Sequence, residues 1–345
     1  MMRALPLLLL LFLFSHCEEP IEIDIKTTPK DYLVVDGTIT TEEKNHLVII
    51  SRATPFKNAD LAPLQRESVN EIMIVDDNSQ TTTLFEVETG VYSTPASFAA
   101  KEGSSYQLKF TTVDGQSYES TPQKIYQNGE ISNIGFDYRI QQVYTSSADQ
   151  FVDKGVIQIT GDYRYSDESA YLAFDYDGTF IFNAPNDPTD CYVPDEKSGY
   201  SALRSGVSFD DKNFAGDELF SVNYDFKFRN TYSLNLKMYT IGRDAYSFLS
   251  DVQEQINSTG SIFDPAPQQI IGNIVNTNDE GETILGFFGA FNVTEQRIFI
   301  RSNDLAAPEP FDICGRINGP GNPPNYCFDC SNYFRSTKIK PNFWQ

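Results

Sequence analysis

Short runs in which apolar and polar residues alternate recur along most of the chain. Two examples are "YLVVDGTIT" (Tyr32–Thr40) and "GVIQITGDYRY" (Gly155–Tyr165). A period of two residues places alternate side chains on opposite faces of a β-strand, whereas a helix needs a period near 3.6. The chain also contains 26 Phe and 19 Tyr residues, and aromatic residues are enriched in strands. The sequence therefore predicts an all-β protein.

Residues 31–126 carry about seven of these runs with turn signals between them, which is the spacing of an immunoglobulin-like β-sandwich. Asp114-Gly115 separates two of the runs and predicts a two-residue β-hairpin. The segment from Pro122 to Gly129 then predicts a linker. We therefore expect an N-terminal immunoglobulin-like β-sandwich over this range.

Residues 127–310 predict a larger, β-sandwich-like second domain. Within it, "DELFSVNYDFKF" and "TYSLNLKMYTI" predict a hairpin around Arg229-Asn230, and "TILGFFGAF" and "QRIFIRS" predict two further strands. The polar stretch from Asn183 to Asn213 predicts a long loop region. Long loops in compact domains are often functional, so this region deserves testing as a binding surface.

One segment, "RDAYSFLSDVQEQINSTG", departs from the strand pattern. Its apolar residues recur at helical spacing, and they are Ala245, Phe248, Leu249, Val252 and Ile256. We predict one amphipathic helix at about 244–257. Its apolar stripe is expected to pack on the second sheet, while a partner-binding role for the same stripe is the alternative.

The first residues have the layout of a secretory signal. Arg3 is the only charged residue before Cys17, and residues 4–14 are apolar apart from a bend at Pro6. The run is shorter than the about 20 apolar residues that span a bilayer. We therefore predict a signal peptide over residues 1–16.

Cys17 makes this signal more specific. The segment "FSHC" before and including it resembles a bacterial lipobox, in which the cysteine is acylated and becomes the first residue of the mature protein. His16 and Phe14 stand where small residues and Leu are usual, and ordinary signal-peptidase cleavage is the alternative. We predict lipidation at Cys17, with residues 17–30 as a lipidated tether to the bilayer.

The chain has five cysteines, so lipidation of Cys17 leaves an even number. An even set in an exported protein indicates two disulfides, and the candidates are Cys191, Cys314, Cys327 and Cys330. A bond between the last two would close a tight ring, so we expect them to reach separately toward the others, although sequence leaves the connectivity open. Residues 311–345 thus form a Cys-rich C-terminal segment. Zinc is the less favoured alternative for these thiols.

Acidic side chains dominate the composition, with 48 Asp and Glu against 26 Lys and Arg and a net charge of −22 at pH 7. Such a surface repels nucleic-acid phosphates, which argues against nucleic acid as a partner. It also disfavours adsorption to anionic lipid headgroups. Attachment to a bilayer would therefore depend on the lipid anchor.

The sequence predicts no enzyme, no cofactor and no metal site. His46 is the single histidine outside the signal peptide, and no G-x-S-x-G, Walker A or dinucleotide-binding motif is present. Paired carboxylates at turn signals offer calcium binding or hydrolysis as less favoured alternatives to ordinary turn chemistry. These pairs are Asp76-Asp77, Asp175/Asp177 and Asp210-Asp211.

Several segments together suggest a family. In chain order they are "LVVDGTIT", "GSIFDPAPQQIIGNI" followed by "ILGFFGAF", and "CFDC" followed by "KPNFW". Together they resemble the Bacteroidota lipoproteins grouped as domain of unknown function four-two-four-nine. The resemblance covers nearly the whole mature chain and implies an outer-membrane lipoprotein with an immunoglobulin-like N-terminal part and a larger C-terminal β domain.

The resemblance also implies partners. Such proteins are often encoded beside TonB-dependent transporters, and no catalytic residues are known for them. In these bacteria, acidic residues directly after the lipid cysteine resemble a signal for export to the cell surface, and Glu18 and Glu19 fit that pattern. The leading hypothesis is a non-enzymatic, surface-exposed lipoprotein that works with an outer-membrane β-barrel, a TonB-dependent transporter.

Two alternatives remain: a structural subunit of an outer-membrane assembly complex, and a carboxylate-dependent hydrolase acting through residues such as Asp175 or Asp210. Aromatic residues of the predicted loop region and its surroundings are candidate contacts for a ligand or partner, namely Tyr192, Tyr200 and Tyr224. Packing of the same rings against the loops is the alternative role for them.

Overall fold

The computed structural model describes residues 31–53, 65–145, 150–185, 189–197, 199–257, 269–314 and 324–344. The predicted signal peptide over residues 1–16 and the tether over residues 17–30 lie outside the described residues. Cys17, Glu18 and Glu19 therefore lie outside them as well.

Strands account for most of the regular structure. They are β1 (Tyr32–Thr40), β2 (Leu47–Ala53), β3 (Gln65–Arg66), β4 (Val69–Asp76), β5 (Thr81–Thr83), β6 (Phe85–Glu88), β7 (Val91–Ser93), β8 (Ser105–Thr112), β9 (Ser117–Ser120), β10 (Gln123–Lys124), β11 (Glu130–Thr145), β12 (Gln150–Arg164), β13 (Tyr171–Phe182), β14 (Cys191–Asp195), β15 (Ala202–Ser205), β16 (Asn213–Asn223), β17 (Thr231–Thr240), β18 (Ile274–Asn276) and β19 (Leu285–Arg301). One α-helix, α1, spans Arg243–Asn257. The all-β prediction with a single helix is confirmed for the described residues.

A large sheet of ten strands organises the molecule. Its main path is β14-β13-β17-β19-β1-β2-β7-β6, with β15 beside β13 and β3 beside β2. β1 pairs antiparallel with β2 but parallel with β19, from Val34 opposite Leu285 to Thr40 opposite Phe291. The β1–β19 pair joins the first described strand to the last, across the domain boundary predicted near residue 126. The predicted domain limits themselves stay a prediction.

A six-stranded sheet, β18-β9-β8-β4-β5 with β10 beside β8, packs on the N-terminal part of the large sheet. The core between them is mainly aliphatic: Leu33 and Val35 of β1 meet Ile74 of β4 and Leu108 of β8, all with 1% or less of their surface exposed. Alternate residues of these strands are buried, as a period of two requires. The two layers form a β-sandwich.

A three-stranded sheet, β11-β12-β16, packs on the C-terminal part of the large sheet. This second core is rich in aromatic rings. Tyr163 of β12 lies against Phe174 of β13, with ring centroids 5.6 Å apart, and Phe228 stacks on Tyr232 of β17 at 4.6 Å. The sandwich arrangement predicted for this region is therefore present, with many aromatic contacts beside the aliphatic ones.

Helix α1 lies where the sequence predicts it, and most of its apolar stripe packs on the outer face of the large sheet. Ala245 is fully buried, and the Phe248 ring stacks on Phe287 of β19 with centroids 5.0 Å apart. Ile256, predicted as part of the stripe, is instead 75% exposed, because the helix ends one residue later. Within the described residues, no helix is long and apolar enough to cross a bilayer.

Three local predictions were wrong. The region from Asn183 to Asn213 is not simply a loop, because it contributes β14 and β15 to the large sheet. The two runs around Arg229-Asn230 are not a hairpin, because β16 pairs with β12 while β17 pairs with β13 and β19. The two runs predicted after residue 283 are one continuous strand, β19.

Candidate functional site

Two disulfides define the end of the molecule where the second core meets the C-terminal segment. Cys191 at the start of β14 is bonded to Cys330, and Cys314 is bonded to Cys327. All four cysteines are buried in the aromatic core. The expectation that Cys327 and Cys330 reach separately toward the other two cysteines is confirmed.

The C-terminal segment has little regular structure of its own. It contains two short 3₁₀ turns, Asn325–Cys327 and Cys330–Asn332. Rings hold it against β13: Tyr333 lies 5.3 Å from Phe182 and 5.9 Å from Phe180, centroid to centroid. The disulfides and these rings therefore fix the segment on the edge of the large sheet.

A cleft of about 690 Å³ opens beside the disulfides. Its wall combines the end of β13, the 3₁₀ turn Phe226–Arg229 and the segment just before Cys314. Apolar surface comes from Ile181, Phe226 and Ile313. Polar surface comes from Asn183, Asp190, Arg229, Asn230 and Asp312. The volume falls in the range of small-molecule sites.

The polar wall is held in place by its own hydrogen bonds. The side-chain amide of Asn230 donates to Asn183 Oδ1 at 2.9 Å, and the amide of Asn183 donates to Asp190 Oδ1 at 2.7 Å. Arg229 is paired with Asp312 at 3.1 Å and with Glu309 at 3.2 Å. Because carboxylates outnumber the single guanidinium, the cleft disfavours anions and accepts a neutral or cationic polar molecule.

The three candidate contact tyrosines lie in different surroundings, and none lines this cleft. Tyr192 is 7% exposed and packs edge-on against Trp344 at 5.0 Å. Tyr200 packs on Tyr239 at 5.4 Å on the outer face of the large sheet. Tyr224 donates a hydrogen bond from its hydroxyl to the carbonyl of Pro308 at 2.7 Å. Their role in binding a ligand or partner stays a prediction.

Two of the carboxylate pairs show the turn chemistry expected of them. Asp76 Oδ1 accepts hydrogen bonds from the backbone N–H of Asn78 at 3.0 Å and of Gln80 at 2.8 Å. Asp211 Oδ1 accepts from the backbone N–H of Asn213 at 2.9 Å. Both aspartates thus stabilise local backbone turns.

Asp175 and Asp177 do not lie at a turn, contrary to prediction, but within β13. Asp175 Oδ1 is buried without a hydrogen-bond partner. Burial disfavours the charged form, which raises the pKa of Asp175 to about 6. The residue opposite it on β17 is Lys237.

Lys237 is the centre of an ion-pair cluster on the outer face of the large sheet. Its ammonium lies 3.1 Å from Glu295, 3.3 Å from Glu42 and 3.5 Å from Asp177. Burial lowers the pKa of Lys237, but these acids outweigh burial and raise it. For Glu42 the directions are reversed: burial raises the pKa, but its ion pairs outweigh burial and lower it to about 2. Of Glu42 and Asp175, Asp175 is therefore the carboxyl with the pKa closer to neutral pH.

His46 has a structural environment. It directly precedes β2, and its Nε2 accepts a hydrogen bond from the backbone N–H of Thr40 at 3.0 Å. Burial lowers the pKa of His46 to about 4. Across the described ranges, no group of three or more His, Cys, Asp or Glu side chains is placed to hold a metal ion.

Sequence reasoning did not find the cleft. The sequence predicts a hairpin turn at Arg229-Asn230 and the start of a loop region at Asn183. The available signal was adjacency to the cysteines, because Asp190 directly precedes Cys191 and Ile313 directly precedes Cys314. The disulfides bring these neighbours together across a long stretch of chain.

Comparison with known proteins gives one family. No protein with a curated description matches the chain. A model of the family described as "Domain of unknown function (DUF4249)" matches residues 18–297, from directly after Cys17 into β19. This range covers most of the 345 residues, and the chain therefore belongs to this family of unknown function.

Proposed function

We propose that the protein is a surface-exposed outer-membrane lipoprotein, anchored by acyl chains on Cys17, that assists a TonB-dependent transporter in nutrient uptake. Its role is binding rather than catalysis. The observation that carries the proposal is the cysteine pattern. The two disulfides use every cysteine of the chain except Cys17.

The argument from cysteines has two steps. Disulfides persist in oxidising compartments outside the cytoplasm, so two buried disulfides favour an exported protein. Export by the N-terminal apolar run leaves one cysteine without a partner, and that cysteine stands at the lipobox-like position. Lipidation of Cys17 accounts for both the odd cysteine count and the start of the family match at residue 18.

The anchor and the cleft together suit an accessory of a transporter. A lipid anchor confines the protein to the plane of the membrane, which raises its effective concentration near a membrane-embedded β-barrel. The cleft offers fixed amides and carboxylates beside apolar surface, as small-molecule sites commonly do. A neutral or cationic polar nutrient is the class of ligand that its excess of carboxylates allows.

The test of the partner is affinity purification of the acylated chain from membranes, followed by mass spectrometry. We expect a TonB-dependent transporter to co-purify, and Cys17→Ala to abolish both labelled-palmitate incorporation and co-purification. Recovery of outer-membrane assembly components would support the structural-subunit alternative. Recovery of no β-barrel with the acylated chain would contradict the proposal.

The test of the cleft is a variant that fills it. Ile313→Trp is expected to reduce nutrient uptake while leaving co-purification of the barrel unchanged. Ile339→Trp is the matched control, because Ile339 is 78% exposed outside the cleft wall. Equal nutrient uptake by the two variants would contradict a role of the cleft in binding the nutrient.

The test of surface exposure is protease shaving of intact cells. We expect the wild-type chain to be cleaved, and Glu18→Gln combined with Glu19→Gln to be protected. Glu88→Gln, which changes an exposed acidic residue of β6, is the control and should remain cleavable. Protection of the wild-type chain would place it on the periplasmic face.

A further inference from the structure

Strands β11 and β12 form a two-stranded ribbon that extends beyond the third strand of their sheet. Their pairing continues to Thr145 opposite Gln150, whereas the third strand, β16, ends at Asn223 opposite Val156. Six residue pairs therefore extend beyond the third strand. At a rise of about 3.3 Å per residue, this two-stranded part is about 20 Å long.

One face of the ribbon exposes three apolar side chains to solvent, with Gln142 and Asp153 on the same face between them. Ile140 is 64% exposed, Tyr144 is 47% exposed and Phe151 is 69% exposed. Ile140 and Tyr144 are four residues apart, and Phe151 is directly opposite Tyr144, so all three lie on the same face. The Tyr144 and Phe151 rings are in contact, with centroids 5.6 Å apart. A two-stranded ribbon is marginally stable in water by itself. Contacts within the ribbon therefore do not explain why three apolar side chains are exposed on it.

Charge distinguishes the ribbon from the rest of the chain. Residues 138–155 contain two basic residues, Arg139 and Lys154, and two acidic residues, Asp149 and Asp153. The segment is therefore formally neutral, whereas the whole chain carries −22. A neutral, apolar segment can approach a lipid surface without the electrostatic repulsion that an acidic surface meets.

The size of the apolar patch favours a lipid partner over a protein partner. Aromatic side chains bury about 150–250 Å² each when covered completely, so three partly exposed side chains offer on the order of 300 Å². A stable protein interface needs about 800 Å² per partner. A lipid interface needs no matching surface, and Tyr and other amphipathic rings favour the headgroup region.

We propose that the ribbon inserts Ile140, Tyr144 and Phe151 into the lipid interface of the membrane that carries the anchor. The inference goes beyond the proposed function and rests on its membrane anchoring. The ribbon would be a second membrane contact that orients the anchored protein. Its neutral charge predicts that insertion changes little between low and high salt.

The test uses Phe151→Trp in the full acylated chain, reconstituted into phosphatidylcholine vesicles with or without brominated acyl chains. We expect bromine to quench the emission of this tryptophan at least twofold. Native Trp344, which is 8% exposed, supplies a background measured with the unsubstituted chain. Phe334→Trp is the matched control, since Phe334 is 81% exposed on the C-terminal segment, and we expect no more quenching there than in the unsubstituted chain.

Flotation of the vesicles separates the two proposals. Failure of the acylated chain to float would contradict anchoring. Unquenched Phe151→Trp emission in floated vesicles would overturn the ribbon proposal while leaving anchoring intact. A photo-crosslinker at position 151 that captures the transporter instead of lipid would also overturn it. Unchanged urea unfolding of Phe151→Trp excludes misfolding as the cause of either result.

Discussion

The two cores of the molecule are stabilised in different ways. The N-terminal core packs mainly aliphatic side chains of two facing sheets, such as Val35 and Leu108, and its described residues include no cysteine. The C-terminal core packs aromatic rings beside aliphatic side chains and buries both disulfides. The Cys191–Cys330 bond ties the C-terminal segment, which has little secondary structure, to β14, and the Cys314–Cys327 bond closes a loop within that segment. The candidate cleft lies at the second core only.

The difference shows what a binding cleft requires of this fold. The N-terminal sandwich has a smaller cavity, of about 310 Å³ beside β18, whereas the cleft of about 690 Å³ has a wall of irregular chain. The C-terminal segment supplies such a wall but has few backbone ladders to hold it. Covalent links replace those ladders, since a disulfide removes conformations from the unfolded chain rather than adding contacts to the folded one.

The largest expected effect is loss of the long-range disulfide. Cys191→Ser combined with Cys330→Ser opens a loop of 139 residues and should lower the free energy of unfolding by about 5 kcal/mol. Cys314→Ser with Cys327→Ser opens a loop of 13 residues and should cost about 3 kcal/mol. Urea unfolding measures both, and equal losses would show that loop length does not set the contribution.

A cavity in the N-terminal core should have the next largest effect. Leu108→Ala removes a side chain that is 0% exposed and should lower the free energy of unfolding by about 3 kcal/mol. Hydrogen exchange should rise in β4 and β8 while both disulfides remain intact. Leu47→Ala, at a position that is 48% exposed, is the control, and a loss there as large as that of Leu108→Ala would contradict the argument from burial.

Asp175 gives a smaller, pH-dependent effect. Because its folded pKa of about 6 is above the ordinary value of 3.8 for an aspartate, its contribution to stability is fully present below about pH 4 and is lost as pH rises through 6. Asp175→Asn should therefore raise the free energy of unfolding by about 1–2 kcal/mol at pH 7.5, with little gain at pH 4. Asp177→Asn, which breaks an ion pair with Lys237, should lower stability at pH 7.5; a gain there would contradict the assignment.

The smallest expected effect concerns a surface ion pair of the C-terminal segment. Arg335 and Glu196 are paired, with side chains 51% and 58% exposed. Arg335→Ala should change the free energy of unfolding by less than about 0.5 kcal/mol. A loss comparable to that of a disulfide would mean that charge, and not covalent linkage, holds the segment.

Much of the fold could be predicted from the sequence because period and turn chemistry are local. The hairpin at Asp114-Gly115 is present as the pair β8–β9, although its loop is longer than the two residues predicted, since β8 ends at Thr112 and β9 begins at Ser117. Helix α1 lies where its spacing indicates. The segment from Asp175 to Gly178 was misleading, since Asp and Gly together indicate a turn. Gly178 instead continues β13: an added Cβ would lie 2.0 Å from the hydroxyl of Tyr232, so glycine is needed there for close packing.

The cleft and the sheet order could not be predicted because they depend on pairs of residues distant in sequence. Asn183 and Asn230 meet because β13 and β17 are neighbours, and no local pattern specifies that pairing. The same applies to the outer-face cluster, where Glu42 reaches Lys237 from the opposite end of the chain. A pattern of period two identifies the buried face of a strand but not the strand beside it.

The parallel pair of β1 and β19 has a consequence for the timing of folding. β1 can form its hairpin with β2 early, but its other edge stays open until β19, from Leu285 onward, has emerged. Contacts between residues so far apart in sequence form slowly, because a long loop must close first. A chain that emerges from its N-terminus would therefore complete the large sheet only after β19 has emerged.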